Sequence, residues 1–187
     1  MTIPQKQIRA VFDEKTIRVY QAFAPVIADE ALALGTFGGH FSLKRMTWIK
    51  PSFLWMMYRC GWTEKTGQER VLAIDIKRSG FDFAVNNAVA SAFSASGMSK
   101  TLWKQRIAQS EIRVQWDPEK DVNGNSLPYR SIQLGLRGQA VRDYVGDWIC
   151  KITDITEYVK ELNLKRSSGE NISDLLPKET VYSILEV

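Results

Sequence analysis

The chain contains very little histidine and cysteine, and this scarcity excludes several classes of site. Among its 187 residues there is one histidine, His40, and there are two cysteines, Cys60 and Cys150. A zinc cage or a catalytic histidine pair requires more of these side chains than the sequence supplies. The cysteines lie far apart and lack a C-x-x-C spacing, so we expect inert, reduced thiols and no bound metal.

Long apolar runs and blocks of like charge are also missing. Lys50 and Arg59 bracket the longest apolar candidate, which is shorter than the roughly 18 residues that a membrane helix requires. The first residues contain no apolar stretch typical of a signal peptide. We therefore expect a cytoplasmic protein that does not insert into membranes. The net charge of +4, from 25 basic and 21 acidic residues, permits nucleic-acid binding without requiring it.

The composition is that of an ordinary globular protein. Hydrophobic residues make up 44% of the chain and charged residues 25%. A chain of this length can bury a core without metals or disulfides, and we find no repeat or linker. The sequence therefore predicts a single domain over residues 1–187.

Hydrophobic periodicity predicts an α+β fold with mixed or antiparallel sheets and several short helices. β-rich runs at 8–12 and 17–23 flank a polar tetrad and predict a hairpin. Further strands are predicted at 46–49, 71–78, 111–116, 129–136 and 179–184. Helices are predicted at 25–34, 52–60, 79–93, 141–149 and 154–164, the third and the last opened by capping boxes. We expect a turn-rich loop at 117–128 and a surface loop at 165–180 before the closing strand.

The stretch RMTWIKPSFLWMMYRCGW, residues 45–62, predicts a strand, a corner and a helix. Ser52 is placed to cap the helix, and Gly61 to end it. On the preceding strand, Trp48 and Lys50 share one face while Arg45 and Thr47 point to the other. One of these faces must accept a cation beside apolar neighbours, so we predict a ligand site at this corner.

A second candidate wall lies on the strand EIRVQW. Its apolar residues, Ile112, Val114 and Trp116, alternate with Glu111, Arg113 and Gln115. We therefore expect Gln115 to face away from the core, toward a functional surface.

Arginines recur at predicted strand positions, and two interpretations remain open. These residues are Arg9, Arg18, Arg45, Arg113 and Arg130. They could be solvated residues paired with nearby carboxylates. Alternatively, they could converge on a cleft that captures a phosphate or carboxylate group, with an aromatic ring beside it to stack a base. His40 lies in a glycine-bearing loop with no orienting carboxylate near it in sequence, and we interpret it as a surface residue.

Several blocks of the sequence resemble a known family. They are QIRAVFDEKTIRVYQAF, RMTWIKPSFLWMMYRCGW, GQERVLAIDI, VQWDPE, PYRSIQLGL and DWICKITDIT. Together they are similar to the bacterial and fungal family of domain of unknown function 4291, from Gln7 to about Thr156. This resemblance implies no particular activity.

A fainter similarity, in the order of the elements, is to ADP-ribosyltransferase folds. It implies that Tyr20, followed by Gln21, stands on a first functional strand, and that Ser52 stands at the second position. Gln133 occupies the third, where a glutamate is common. An amide cannot serve as a carboxylate base, although it can hydrogen-bond a ribose hydroxyl. The resemblance makes Tyr20 and Gln133 the catalytic candidates and NAD a possible cofactor.

The sequence therefore predicts a nucleotide-binding or nucleotide-processing protein with an arginine-rich cleft. The ligand would be a small phosphate-containing molecule, such as NAD, or an RNA end; an enzyme of this kind would be a transferase. The predicted ligand-binding residues are Arg9, Arg18, Gln21, Arg45, Thr47, Trp48, Lys50, Ser52, Gln115 and Arg130. The alternative is a non-enzymatic module that binds protein or nucleic acid. Convergence of Arg45, Lys50 and Arg130 on one concave pocket would favour the small ligand. The oligomeric state is left open.

Overall fold

Strands and helices alternate in short groups along the chain. The structure is a computed structural model and describes residues 5–184. Its strands are β1 (Arg9–Ala10), β2 (Thr16–Phe23), β3 (Thr47–Ile49), β4 (Arg70–Lys77), β5 (Val89–Ala90), β6 (Ile112–Lys120), β7 (Ser126–Leu136), β8 (Ile149–Asp154) and β9 (Thr180–Val181). Its helices are α1 (Pro25–Leu34), α2 (Phe53–Cys60), α3 (Arg78–Asn87), α4 (Lys100–Gln109), α5 (Gly138–Asp143) and α6 (Thr156–Ser167). A π-helical turn, Tyr144–Trp148, continues α5.

The strands form three sheets. One has the order β2-β4-β8 and is antiparallel, and a second has the order β3-β7-β6-β5. In the second sheet only the short β5 runs parallel to its neighbour, and β1 pairs with β9 in a small separate sheet. The described residues thus form one α+β domain with mixed and antiparallel sheets, which confirms the predicted fold class.

Two apolar clusters hold these elements together. The larger cluster lies among β2, β4, β6 and β7 and includes Ile74, Ile132 and Leu134. The smaller cluster joins α2 and α6 to β2 and β4 through residues such as Met57 and Val159. No helix within residues 5–184 is long and apolar enough to cross a bilayer.

Helix α2 begins and ends as its sequence predicts. The Ser52 hydroxyl accepts a hydrogen bond from the backbone N of Trp55, 3.2 Å away. Gly61 closes the helix in the left-handed conformation, with φ of 59°, which glycine adopts without a steric penalty. The helix therefore starts immediately after the predicted corner and projects its side chains back over it.

Several local expectations were wrong. The predicted hairpin forms only next to its turn, where Phe12 bridges Ile17 and the backbone N of Arg18 donates to the carbonyl of Val11, and β1 itself pairs with β9. The expected loop at 117–128 is mostly strand, since β6 runs through Pro118 to Lys120 and β7 begins at Ser126. The third predicted helix, α3, ends at Asn87 instead of reaching residue 93, and α4 was not predicted at all. Helix α6 continues to Ser167, so the segment expected to be a loop at 165–180 is shorter than predicted.

Candidate functional site

A pocket of about 640 Å³ lies at the corner between β3 and α2. Strand β2 and the loop at 40–46 form its other walls, and Gln115 of β6 and Gln133 of β7 reach it from the second sheet. Its volume falls within the range of about 300–1,000 Å³ that small-molecule sites occupy. The lining includes aromatic, amide and cationic side chains.

The aromatic part of the lining comes from four elements. Phe23 and Phe41 meet edge to face with ring centroids 6.0 Å apart, and Trp48 and Trp55 are half-buried. Trp48 can lie close over β7 because its neighbour there is Gly135, where a Cβ atom would come within 3.0 Å of the indole. The pocket therefore offers flat apolar surfaces beside its charged groups.

Lys50 is the most unusual polar residue of the pocket. Its side chain is only 2% exposed, and Nζ lies 3.6 Å from the centroid of the Trp55 ring and 3.3 Å from Oδ2 of Asp117. Burial lowers the pKa of Lys50 to about 8, and attraction to Asp117 and Glu119 offsets part of that effect. The carbonyl of Lys50 accepts from the backbone N of Tyr20, which fixes the chain at this corner.

Asp117 lies beneath the pocket and organises its amides. Gln115 donates from Nε2 to Oδ1 of Asp117 at 2.8 Å, and Gln133 donates to Oδ2 at 2.6 Å. The two glutamines are cross-strand partners, and Oε1 of Gln115 also accepts from the hydroxyl of Ser91. Because these bonds point both NH₂ groups at Asp117, Oε1 of Gln133 is left as an acceptor with no hydrogen bond among the described residues.

An ammonium group has three N–H donors. Asp117 accepts one from Lys50, and the Trp55 ring covers another side of the cation. At least one donor therefore remains for a ligand. A buried amine in this state can hold an anion strongly, because little water competes for it.

Arg45 and Arg59 add exposed positive charge to the pocket lining. Arg59 lies one helical turn after Trp55, so both project from the same face of α2. Within the described part of the chain neither guanidinium has a hydrogen bond or an ion pair. Both are therefore available to an anionic ligand.

Gln21 and Thr47 reach the pocket but are committed to the protein. Gln21 donates from Nε2 to Oγ1 of Thr47 and to the carbonyl of Trp48, and its Oε1 accepts from the hydroxyl of Tyr144 at 2.7 Å. Both donors of the amide are thereby occupied. These residues connect β2 to β3 and shape the wall of the pocket.

Three predicted arginines lie outside this pocket. Arg18 forms a bidentate ion pair with Asp75 across the β2-β4 pair, at 2.7 and 2.9 Å. Arg9 donates to the carbonyl of Glu179, and Arg130 donates to the carbonyl of Trp116. The strand arginines therefore do not all converge on one cleft, because these three lie in three different sheets and each bonds to a partner outside the pocket.

Tyr20 and Ser52 also lie elsewhere. The Tyr20 ring packs edge to face on Phe53 in the smaller apolar cluster, and burial raises the pKa of its hydroxyl. Ser52 donates its hydroxyl to Oε1 of Glu119 at 2.8 Å and lines a different, smaller cavity. Tyr20 and Ser52 therefore do not share the pocket of Gln133, as the order of elements in an ADP-ribosyltransferase would require.

Four residues of the site were missed. Asp117 continues the polar face that Gln115 begins, but the expected loop ended the strand before it. Trp55 and Arg59 are spaced i, i+4, which is the available signal for a shared helical face. His40 is exposed at the pocket, with Nδ1 3.1 Å from Glu30, a carboxylate supplied by helix α1.

Comparison with known proteins identifies the family and nothing narrower. The family model described as Domain of unknown function (DUF4291) matches residues 7–182. The chain belongs to this family. No curated protein matches the chain. Within residues 5–184 of this DUF4291 member, no group of three or more His, Cys, Asp and Glu side chains is arranged to hold a metal ion.

Proposed function

We propose that this DUF4291 protein is a cytoplasmic nucleotide-binding protein. The phosphates of the ligand bind at Lys50, Arg45 and Arg59, and its base packs against the aromatic side chains of the pocket. NAD, ADP-ribose, ATP and an RNA end all contain this combination of anion and planar ring.

One observation carries the proposal: the described lining contains three cations, Lys50, Arg45 and Arg59, and no carboxylate. Asp117 lies beneath the pocket and is already shared among three donors. An anion entering the pocket would offset the unfavourable burial of the Lys50 charge. Arg45 and Arg59 have no ion pair within the described residues, and this unneutralised charge supports a ligand that brings negative charge.

The uncharged groups support a nucleotide over a simple anion. Base rings stack on tryptophan and phenylalanine faces, and stacking contributes about 1–3 kcal/mol per base. The free Oε1 of Gln133 can accept from a ribose hydroxyl. A phosphate ion alone would leave the aromatic part of the pocket unfilled.

A transferase activity would extend this binding role. The cations would stabilise developing negative charge on a phosphate, which is the form of electrostatic catalysis that needs no covalent nucleophile. Lys50 is the ionisable lining residue that would contact the ligand, and Asp117, 3.3 Å from its Nζ, holds the ammonium group in place.

The alternative, an interaction module with a flat binding face, is less well supported. Convergence of Arg45, Lys50 and Arg130 was expected to favour a small ligand. Arg45 and Lys50 do line one concave pocket, and Arg59 is present there in place of Arg130. Concave sites that combine aromatic side chains with a few polar groups are typical of small ligands.

Thermal-shift assays with NAD, ADP-ribose, ATP and a short RNA test the proposal. We expect at least one ligand to raise the melting temperature of the native protein. The double substitution Arg45→Gln with Arg59→Gln should reduce that rise, because both residues are exposed and unpaired and their loss leaves the fold intact. Lys15→Gln with Lys151→Gln removes the same charge from exposed positions elsewhere and should leave the rise unchanged. No stabilisation by any ligand, or equal effects of the two double substitutions, would contradict the proposal.

A further inference from the structure

Helix α4 is an exposed, cationic helix. Its sequence, KTLWKQRIAQ, contains three basic residues and no acidic one, and none of its residues is fully buried. Within the described residues the side chains of Lys100, Lys104 and Arg106 have no ion pair or hydrogen bond. Such a helix gains little from the core and presents positive charge to solvent, although Arg106 lines a cavity that also contains Glu111 and Asp143.

An exposed aromatic residue, Phe93, lies beside this cationic helix. Trp103 anchors α4 by donating from Nε1 to the carbonyl of Ala90 at 2.8 Å, and its ring meets that of Phe93 with centroids 5.9 Å apart. Phe93 itself is 41% exposed. Cations beside an exposed ring are the combination that binds single-stranded nucleic acid, through its phosphates and by stacking of its bases.

The segment that leads to α4 starts at the pocket. Strand β5 runs beside β6, and the hydroxyl of Ser91 donates to Oε1 of Gln115, which lines the pocket. Arg113 precedes Gln115 by two residues and so lies on the same face of β6. Its Nε is buried with no hydrogen-bond partner among the described residues. Ser91 bonds to Gln115 at the pocket and lies two residues before Phe93, and Arg113 pairs with Val89 on the same short strand, so the chain leads from the pocket to Phe93 and α4.

We propose that α4, Phe93 and Arg113 form a binding surface for a single-stranded nucleic acid whose terminal nucleotide enters the pocket. The inference rests on the proposed function and narrows it, because it makes a strand end, and not a free nucleotide, the preferred ligand. A membrane partner does not fit the same helix: its apolar residues form no continuous stripe of the kind that lies in a lipid interface.

Calorimetry with a decaadenylate RNA and with ADP tests the inference on the full-length protein. We expect the decamer to bind at least about tenfold more tightly than ADP. The triple substitution of Lys100, Lys104 and Arg106 to glutamine should remove most of that advantage and leave the affinity for ADP unchanged. It should also reduce the slope of log K against log salt by about 2, because each lost contact to a single strand contributes about 0.7.

Two controls separate specific from general effects. The triple substitution of Lys15, Lys151 and Lys178 to glutamine removes equal charge from other exposed positions and should leave both affinities unchanged. Phe93→Ala should weaken the decamer about tenfold, as expected for a lost stacking contact, while Leu164→Ala, which removes an exposed apolar side chain from α6, should not.

The outcomes distinguish this inference from the proposed function. If ADP binds and the decamer binds no more tightly, the proposed nucleic-acid surface at α4 is wrong and the proposed nucleotide site in the pocket is retained. If the decamer binds and depends on α4 while ADP does not bind, the surface stands and the pocket proposal is wrong. Equal losses in the two triple variants would overturn the surface, and no binding of either ligand would overturn both.

Discussion

At the scale of single residues, two buried tyrosines differ in what their hydroxyl groups contact. The Tyr144 hydroxyl donates to Oε1 of Gln21, whereas the Tyr20 hydroxyl is buried with no hydrogen-bond partner among the described residues. Burial raises the pKa of both phenols, so neither releases its proton near neutral pH. Tyr20 therefore lacks both the location and the acidity of a catalytic group.

The substitutions Tyr20→Phe and Tyr144→Phe form a matched pair. We expect Tyr20→Phe to leave the free energy of unfolding unchanged or to raise it by about 1 kcal/mol, because it removes an unpaired buried polar atom. Tyr144→Phe should lower it by about 1–2 kcal/mol, because the oxygen of Gln21 loses its donor. Urea denaturation measures both. A folded Tyr20→Phe protein that no longer bound its ligand would restore Tyr20 as a functional residue.

The buried charge of Lys50 predicts a specific dependence of stability on pH. Between its folded pKa of about 8 and its ordinary value of 10.5, the unfolded chain binds a proton that the folded chain does not. The contribution of Lys50 to the free energy of unfolding therefore rises with pH across that interval, by on the order of 3 kcal/mol. Lys50→Met cannot titrate, so the free energy of unfolding of the native protein minus that of the variant should rise from pH 7.5 to pH 10.5. A constant difference would mean that Lys50 is not desolvated.

At the scale of elements, the start of α2 combines two roles in one hydroxyl group. Ser52 accepts from the backbone N of Trp55 and donates to the buried carboxylate of Glu119. Ser99 caps α4 by the same kind of bond from Leu102 but is exposed. Ser99 therefore makes only a capping bond, whereas Ser52 makes a capping bond and a second bond to a buried carboxylate. Comparing the two serines measures what the second bond adds.

We expect Ser52→Ala to lower the free energy of unfolding by about 2 kcal/mol or more, and Ser99→Ala by about 1 kcal/mol or less. The larger loss at Ser52 arises because the buried carboxylate of Glu119 loses one of its hydrogen-bond donors. Chemical denaturation of the two variants provides the comparison. Equal losses would show that the bond to Glu119 adds nothing to the cap.

The elements were predictable where local chemistry decides them. Ser52 and Gly61 mark the ends of α2, and the alternation from Ile112 to Trp116 identifies which face of β6 is buried. Pro118 and the turn residues after it favoured a loop, but the β6-β7 pairing holds that segment extended. The partner of β1 could not be predicted, because a hairpin is the local solution and β9 lies about 170 residues away in sequence.

At the scale of the whole molecule, the site depends on contacts that no local pattern contains. Lys50 and Asp117 are 67 residues apart in sequence, and their contact requires β3, β7 and β6 to be neighbours in one sheet. The corner at 45–52 was predicted as the ligand site, and Arg45, Thr47, Trp48 and Lys50 do line one pocket. Arg9, Arg18 and Arg130 show the limit of this reasoning, since strand spacing fixes the face of a side chain but not which cavity, if any, lies beside it.

A nucleotide phosphate that binds at Lys50 should change the protonation of this residue, and calorimetry of ADP binding at pH 8 in two buffers of different ionisation enthalpy measures that change. An anion beside Lys50 raises its pKa, so binding should take up about half a proton at a pH near the free value of about 8. In the same titration, the Lys50→Met variant should bind ADP more weakly than the native protein and should take up no proton at this position. ADP binding with equal heats in both buffers and equal affinity in the variant, or no binding to the native protein, would contradict the account.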